Sequence, residues 1–391
     1  MSDVSVRDSG TVSRASLLAP FHVRSFRFQW PADLSTSWAF EMETIILGWY
    51  VLVETGSVLL LTLFASLQFV GTLVAPIFGL VGDRIGHRNL LCMMRATYAA
   101  LAASLATLAL LGMLGPVQVF AIAALTGLVR PSDLVMRNTL IGETMPAERL
   151  MGAMSISRTT ADSARIAGAL AGAGLVATVG MGPAYCVITT FYVVSLLLTL
   201  GVAGRDAELL AGAAGPIPVP ASPWRDLGEA ASSVWVTPHL LAAMCLAFLI
   251  NLTAFPLSGG LLPYVAKEIY GVDQTWLGYL VAGFAFGGLV GSITLTRSRG
   301  DIRPARMMVV FAVAWYLLLL VFAWTESAPA GVLVLMLAGF MQSLCMVPMS
   351  VMLLRGASAR LRGRVMGMRM LAVYGLPIGL LIAGPLIGRF G

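Results

Sequence analysis

The sequence predicts an all-α polytopic membrane protein built as two related helical halves, and three observations predict it. The chain of 391 residues is 58% hydrophobic and 11% charged, with a mean hydropathy of +0.87. Soluble domains carry about 25% charged residues. Apolar runs near the roughly 20 residues that a bilayer crossing needs recur along most of the chain. Short segments of the first half also reappear, in order, in the second.

The polar tail 1–30 lacks the basic-then-apolar layout of a cleaved signal peptide. The first half, 31–203, holds predicted spans at 32–53, 58–80, 90–113, 116–135, 150–175 and 183–203. A Pro- and Gly-rich linker, 204–237, follows, with a short amphipathic surface helix expected near Trp224–Trp235. The second half, 238–391, holds spans at 238–262, 275–296, 307–325, 330–354 and 366–388. That makes eleven; a six-plus-six arrangement would need a twelfth, which the sequence does not display. The absence of ten-residue alternation speaks against an outer-membrane barrel.

Basic residues set the expected orientation, because cytoplasmic loops collect Lys and Arg. Arg24 and Arg27 precede span 1, Arg84 and Arg88 follow span 2, and Arg137 and Arg149 follow span 4. Further arginines occupy the linker and the loops after spans 8 and 10. All fall on one side if the N-terminus is cytoplasmic, while the opposite loops hold only Lys267. The net charge of +6 is thereby a topology signal and calls for no nucleic-acid partner. Cys92, Cys186, Cys245 and Cys345 have no CxxC spacing and read as buried apolar side chains. The three histidines do not cluster, so nothing points to a metal or a cofactor, and the paired nucleophile and base of a hydrolase are missing.

The internal repeat aligns "VLVETGSV" (51–58) with "VAKEIYGV" (265–272), placing Glu54 over Glu268. "RLMGAM" (149–154) aligns with "RVMGMR" (364–369), and Pro131 with Pro348, all at a shift near 215. Two such halves around a midplane site form a transporter layout.

Between spans 2 and 3 lies "GLVGDRIGHR" (79–88), in which Gly79 and Gly86 permit a tight turn and Asp83, Arg84 and Arg88 form a charged cluster. This stretch resembles the GxxxDRxGRR signature of the major facilitator superfamily, with His87 replacing one basic residue. "GWYVLVETGS", "PAERLMGAMSISRTTADSARIAGALAG" and "LRGRVMGMRMLAVYGLPIGLLIAGPL" are similar to its drug- and siderophore-exporting branch, the macrolide and enterobactin exporters. The resemblance implies a monomeric proton-coupled antiporter of the plasma (inner) membrane, exporting an amphiphilic small molecule by alternating access. It also implies that Asp83 holds a cytoplasmic gate against the start of helix 11, near Gly363–Gly367, with Arg84 and Arg88 in the lock. A carboxylate at a helix N-terminus is favoured electrostatically. Two departures stand out. The GPxxG run of efflux members reads here as Gly168 to Gly172 without the proline, and "GSITLTRSRGD" (291–301) lacks the Asp-Arg pair.

Charges inside spans are costly and normally face a partner or a wet cavity. With helix 1 starting near Pro31, Glu41 lies roughly 16 Å along it. Ser37, Glu41, Thr44 and Gly48 share one face, which makes Glu41 the cavity-facing carboxylate. Glu43 points about 200° away; because the resemblance implies that helix 5 neighbours helix 1, Glu43 is expected to meet the charges of helix 5. There Arg158, Asp162 and Arg165 share a face with Ser155 and Gly172. Glu41, Glu43 and Asp162 against Arg158 and Arg165 leave one excess carboxylate for coupling to protons. Arg130-Pro131-Ser132-Asp133 is expected to kink span 4 around a local ion pair. In the second half, Asn251, Gln342 and Tyr374 are the candidates for substrate contact, with Arg369 nearer the cytoplasmic end. The alternatives to proton-driven export are a facilitative carrier or lipid flippase of the same fold, and a non-transporting receptor or assembly factor.

Overall fold

Apolar composition turns into long helices throughout the computed structural model, which describes residues 19–72, 74–203, 235–297, 304–356 and 372–390. Helix α1 runs from Arg24 to Thr55, starting seven residues before Pro31. At 1.5 Å per residue, Glu41 therefore lies about 26 Å along it. Gly56, at φ +61, takes the left-handed conformation that closes α1 and returns its N–H to the Leu52 carbonyl. Ser57 then caps α2 (Val58–Leu67) by accepting from the Leu60 N–H. The second span is not one rod: after α2 come a single 3₁₀ turn (Val70–Thr72) and α3 (Ala75–Ile85). Gly86, at φ +88, reverses the chain into α4 (His87–Leu110). Helices α5 (Pro116–Thr144), α6 (Ala147–Val179) and α7 (Met181–Leu200) complete the first half.

The second half opens with α8 (Pro238–Thr253). It continues through two π turns, Leu257–Leu261 and Val265–Ile269, on either side of Leu262–Tyr264. Pro256 and Pro263 lack the N–H that a regular helix would use there, which explains the widened turns. Next come α9 (Gln274–Arg297), α10 (Pro304–Ala323), α11 (Ala328–Gly356) and α12 (Gly375–Phe390). Seven helical segments among the described residues are long and apolar enough to cross a membrane. Helices α1 and α6, at 32 and 33 residues, are also long enough but carry the charges of the site.

The repeat has structural counterparts. Glu54 is the penultimate residue of α1, and Glu268 the penultimate residue of the π turn that ends the seventh span. Pro131 and Pro348 both lie inside 29-residue helices, α5 and α11. Within the first half, α4 packs on α7 and α1 on both α6 and α7; in the second, α11 packs on α9 and α10. The halves join where α6 meets α9 and α2 meets α12. Gly260 lies at such a junction: a methyl group there would come within 2.7 Å of both Ala65 and Leu380. One apolar core lies within the first half, around Tyr98, Tyr185 and Tyr192; the other, around Trp315, Leu335 and Leu353, also takes in Ile45, Ala169 and Ala173 of the first half. The linker 204–234, and with it most of the surface helix expected near Trp224–Trp235, lies outside the described residues, as does Arg369.

Candidate functional site: a cavity with one charged wall

Between the halves lies a cavity of about 1050 Å³. Its placement starts from glycines. At Gly168 an added methyl group would sit 2.7 Å from the Glu41 Cβ, and at Gly172 2.8 Å from the Met42 Cα. Two small residues one turn apart thus let α6 lie against the backbone of α1, as small-residue stripes do in membranes. The missing proline of the efflux motif does not prevent this contact. A second close crossing joins α5 to the 67–72 segment: a methyl group at Gly127 would meet the Leu67 carbonyl at 2.1 Å, and one at Gly71 the Leu128 carbonyl at 2.0 Å.

These crossings bring the predicted face of α1 onto the cavity. Ser37, Glu41, Thr44 and Gly48 all line it, and so do Arg158, Asp162 and Arg165 of α6. Glu41 faces Arg165 across the α1–α6 contact at 3.8 Å, with Arg165 half exposed. Arg158 and Asp162 pair along α6 at 3.3 Å.

Glu43 corrects the expectation. It is buried, and it accepts a 2.8 Å hydrogen bond from the Tyr192 hydroxyl on α7 instead of meeting the charges of α6. Helix α1 touches both neighbours, and the 200° offset from Glu41 turns Glu43 towards the other one. Tyr192 and Phe40 pack edge to face beside it.

Deeper in the first half lies an ion-pair network that sequence reasoning missed. Asp33 of α1 pairs with the fully buried Arg95 of α4, and Arg95 also donates to Thr199 of α7. Arg137 of α5 pairs with Asp133 one turn earlier and approaches Asp33 at 3.7 Å. It also donates to the Ser37 hydroxyl at 3.0 Å. Arg137 is therefore no loop residue: α5 runs nine residues beyond the predicted end of span 4, to Thr144, and buries it. The local ion pair expected around Pro131 joins Asp133 to Arg137, not to Arg130. Arg130 instead donates to Gln68 Oε1 at 2.5 Å and to Thr44 Oγ1 at 2.9 Å, with its guanidinium 4.7 Å above the Phe40 ring.

The excess carboxylate disappears once these groups are counted. Asp33, Glu41, Glu43, Asp133 and Asp162 stand against Arg95, Arg130, Arg137, Arg158 and Arg165. The signal that could have found Asp33 and Arg95 was there: each is a charge inside a predicted span, Arg95 the single one in its span, and such charges need partners.

The second-half wall contrasts with the first. All eight charged cavity-lining residues (Asp33, Glu41, Asp133, Asp162, Arg130, Arg137, Arg158 and Arg165) come from the first half. Facing them are side chains such as Phe255, Leu262, Val281, Phe284 and Leu376. Asn251 lines this wall and donates to the Ala247 carbonyl at 2.8 Å. Gln342 and Tyr374 are not among the lining residues. Gln342 lies by Gly288 of α9, and Val373 and Leu376 take the wall beside Tyr374.

Of the motif residues, Gly79 lines the cavity and Gly86 makes the turn. Arg84 is exposed at the end of α3. Arg88 donates to the Leu200 carbonyl at 2.5 Å, at the C-terminal end of α7, where a cation is favoured. That contact lies within the first half. His87 Nδ1 lies 2.5 Å from Glu143 Oε1. The Asp83 side chain and residues 357–371, which include the expected gate partner, lie outside the described residues.

Comparison with known proteins agrees with this architecture. Residues 32–385 match the family described as Major Facilitator Superfamily. No curated protein matches the sequence. Among solved structures, a bacterial homolog of the human lysosomal transporter Spinster, in an inward-facing and unoccupied conformation, is similar with a TM-score of 0.68 at 12% identity; the likeness covers 93% of this chain and 83% of that one. The nucleoside transporter NupG is similar with a TM-score of 0.68 at 15% identity, over 94% and 91% of the two chains. A POT family transporter in complex with 5-aminolevulinic acid reaches 0.67 at 11% identity, over 94% and 91%. At these identities the likeness speaks for the fold alone. With the family match spanning most of its length, the chain belongs to the major facilitator superfamily of secondary transporters.

Proposed function

We propose that the protein is a proton-coupled transporter of an amphiphilic small molecule, which binds in the cavity between the halves. The observation that carries this reading is the division of the cavity: charges on one wall, apolar side chains on the other. A cavity of this volume suits a drug-sized ligand, and such walls match a molecule with a polar end and a greasy body.

Glu41 is the proposed coupling group. It lines the cavity, and its ion pair with the half-exposed Arg165 is long and accessible. A proton on Glu41 would release Arg165, changing the charge that the substrate and the α1–α6 contact both sense. Asp162 and Arg158 extend the same exchange along α6. Glu43, sequestered with Tyr192, serves the structure of the first half.

Export is the direction we infer, on the likeness of the sequence to exporters. The distribution of basic residues supports a cytoplasmic N-terminus, a cytoplasmic α3–α4 turn and residence in the plasma (inner) membrane. The domain division at 204–237 is part of the same proposal. To test the reading, the gene is deleted and cells are loaded with a panel of fluorescent amphiphiles, with pH clamped on each side of the membrane. Deletion is expected to raise retention of at least one dye only while a proton gradient is present. Unchanged retention across the panel, or an effect indifferent to the gradient, would contradict proton-driven export.

A further inference from the structure

We propose that Arg130 anchors an anionic group of the transported molecule, so that the cavity selects organic anions with an apolar body. The inference deepens the function proposed above and rests on it.

Three of the four arginines lining the cavity have carboxylate partners: Arg137 with Asp133, Arg158 with Asp162 at 3.3 Å, and Arg165 with Glu41 at 3.8 Å. Arg130 is held differently. Its Nη1 donates to two neutral acceptors, Gln68 Oε1 and Thr44 Oγ1, and Phe40 supplies a π face. These contacts fix the guanidinium with no carboxylate in direct contact with it. Glu43 senses it through space, but is engaged with Tyr192 and does not line the cavity.

A cation inside a membrane protein calls for a partner or a wet cavity. The planar fork of a guanidinium matches a carboxylate, sulfonate or phosphate two bonds at a time. Arg130 is also rigidly placed. The backbone crossing at Gly71 and Gly127 sets α5 against the Gln68 segment, so the guanidinium and its two acceptors form a prepared seat. The apolar wall of Phe255, Leu262 and Phe284 would receive the body of the ligand.

The experiment uses the full chain in nanodiscs and three probes that share one aromatic body: naphthalene-2-carboxylate, naphthalene-2-methanol and naphthalen-2-ylmethylammonium. Binding is measured by calorimetry against empty nanodiscs. The carboxylate is expected to bind about tenfold or more tighter than the alcohol, the scale of one charge-assisted contact. Arg130→Gln should bring that ratio to about one while alcohol binding is kept. Gln68→Glu should do the same with the guanidinium still in place, because it supplies an internal counter-ion; it carries the test if Arg130→Gln does not fold. Equal binding of carboxylate and alcohol to the wild type, preference for the ammonium, or a ratio unmoved by both variants would overturn the anion site and spare the amphiphile reading. Failure of all three probes to bind would overturn that reading and the anion site together.

Discussion

Glu43 and Tyr192, 149 residues apart in sequence, meet through a 2.8 Å hydrogen bond between α1 and α7 in the buried core of the first half. Glu41, two residues earlier on the same helix, faces the cavity and Arg165. One short stretch of α1 therefore carries two carboxylates with separate surroundings, and substitutions should separate them.

Tyr192→Phe removes the hydroxyl that donates to the buried Glu43 carboxylate, and should cost about 1–3 kcal/mol of stability. Glu43→Gln keeps an acceptor for that hydroxyl and should stay closer to the wild type. Thermal unfolding of both variants and of their combination, read as a double-mutant cycle, checks this. A combination equal to the sum of the single effects would mean that the two residues are not coupled.

Glu41→Gln should leave stability within about 1 kcal/mol of the wild type, because partly exposed ion pairs are worth little. Arg165 is half exposed and the pair is long. A large drop in melting temperature would show that the pair holds α6 against α1 and is not free to exchange.

Breaking the Asp33–Arg95 pair should be far costlier. Arg95 is fully buried, and Arg95→Met leaves Asp33 with Arg137 alone, which already serves Asp133. Loss of one partner of a buried pair costs about 3–5 kcal/mol. The expected result is poor yield of folded protein by size-exclusion chromatography in detergent, with partial recovery in Asp33→Asn/Arg95→Met. Normal yield of the single variant would show that the network is dispensable.

Gly127→Ala would push a methyl group against the Leu67 carbonyl, where neither backbone can yield cheaply. Overpacking of this kind costs about 1–3 kcal/mol. Because the same crossing seats Gln68 beside Arg130, the melting temperature and the preference for naphthalene-2-carboxylate over its alcohol should fall together. A stable variant with that preference intact would contradict the assigned role of the crossing.

Much of this was legible in the sequence because helical periodicity is local. The face Ser37, Glu41, Thr44 and Gly48 follows from spacing alone, whereas the contact of α6 with α1 follows from the family resemblance. What periodicity cannot supply is the identity of a neighbour. It turned Glu43 away from Glu41, but α1 has helices on both sides, and only the assembled bundle shows that Tyr192 waits there. Arg137 was misread for a related reason: a basic residue after an apolar window looks like a loop marker, whereas α5 continues past that window and buries it in an ion-pair network. Proximity in sequence points to Arg130 as the partner of Asp133. One helical turn from Asp133 to Arg137 gives the better geometry, and Arg130 is released towards Gln68 and the cavity.

A single flux measurement decides whether this cavity couples an amphiphile to protons through Glu41. Purified protein in liposomes is given an imposed pH gradient, and movement of naphthalene-2-carboxylate is followed for the wild type and for Glu41→Gln. The wild type should drive net flux that a protonophore abolishes, while Glu41→Gln should lose the gradient-driven component and keep exchange at equal pH. Flux that ignores the protonophore, or gradient-driven flux undiminished in Glu41→Gln, would contradict it.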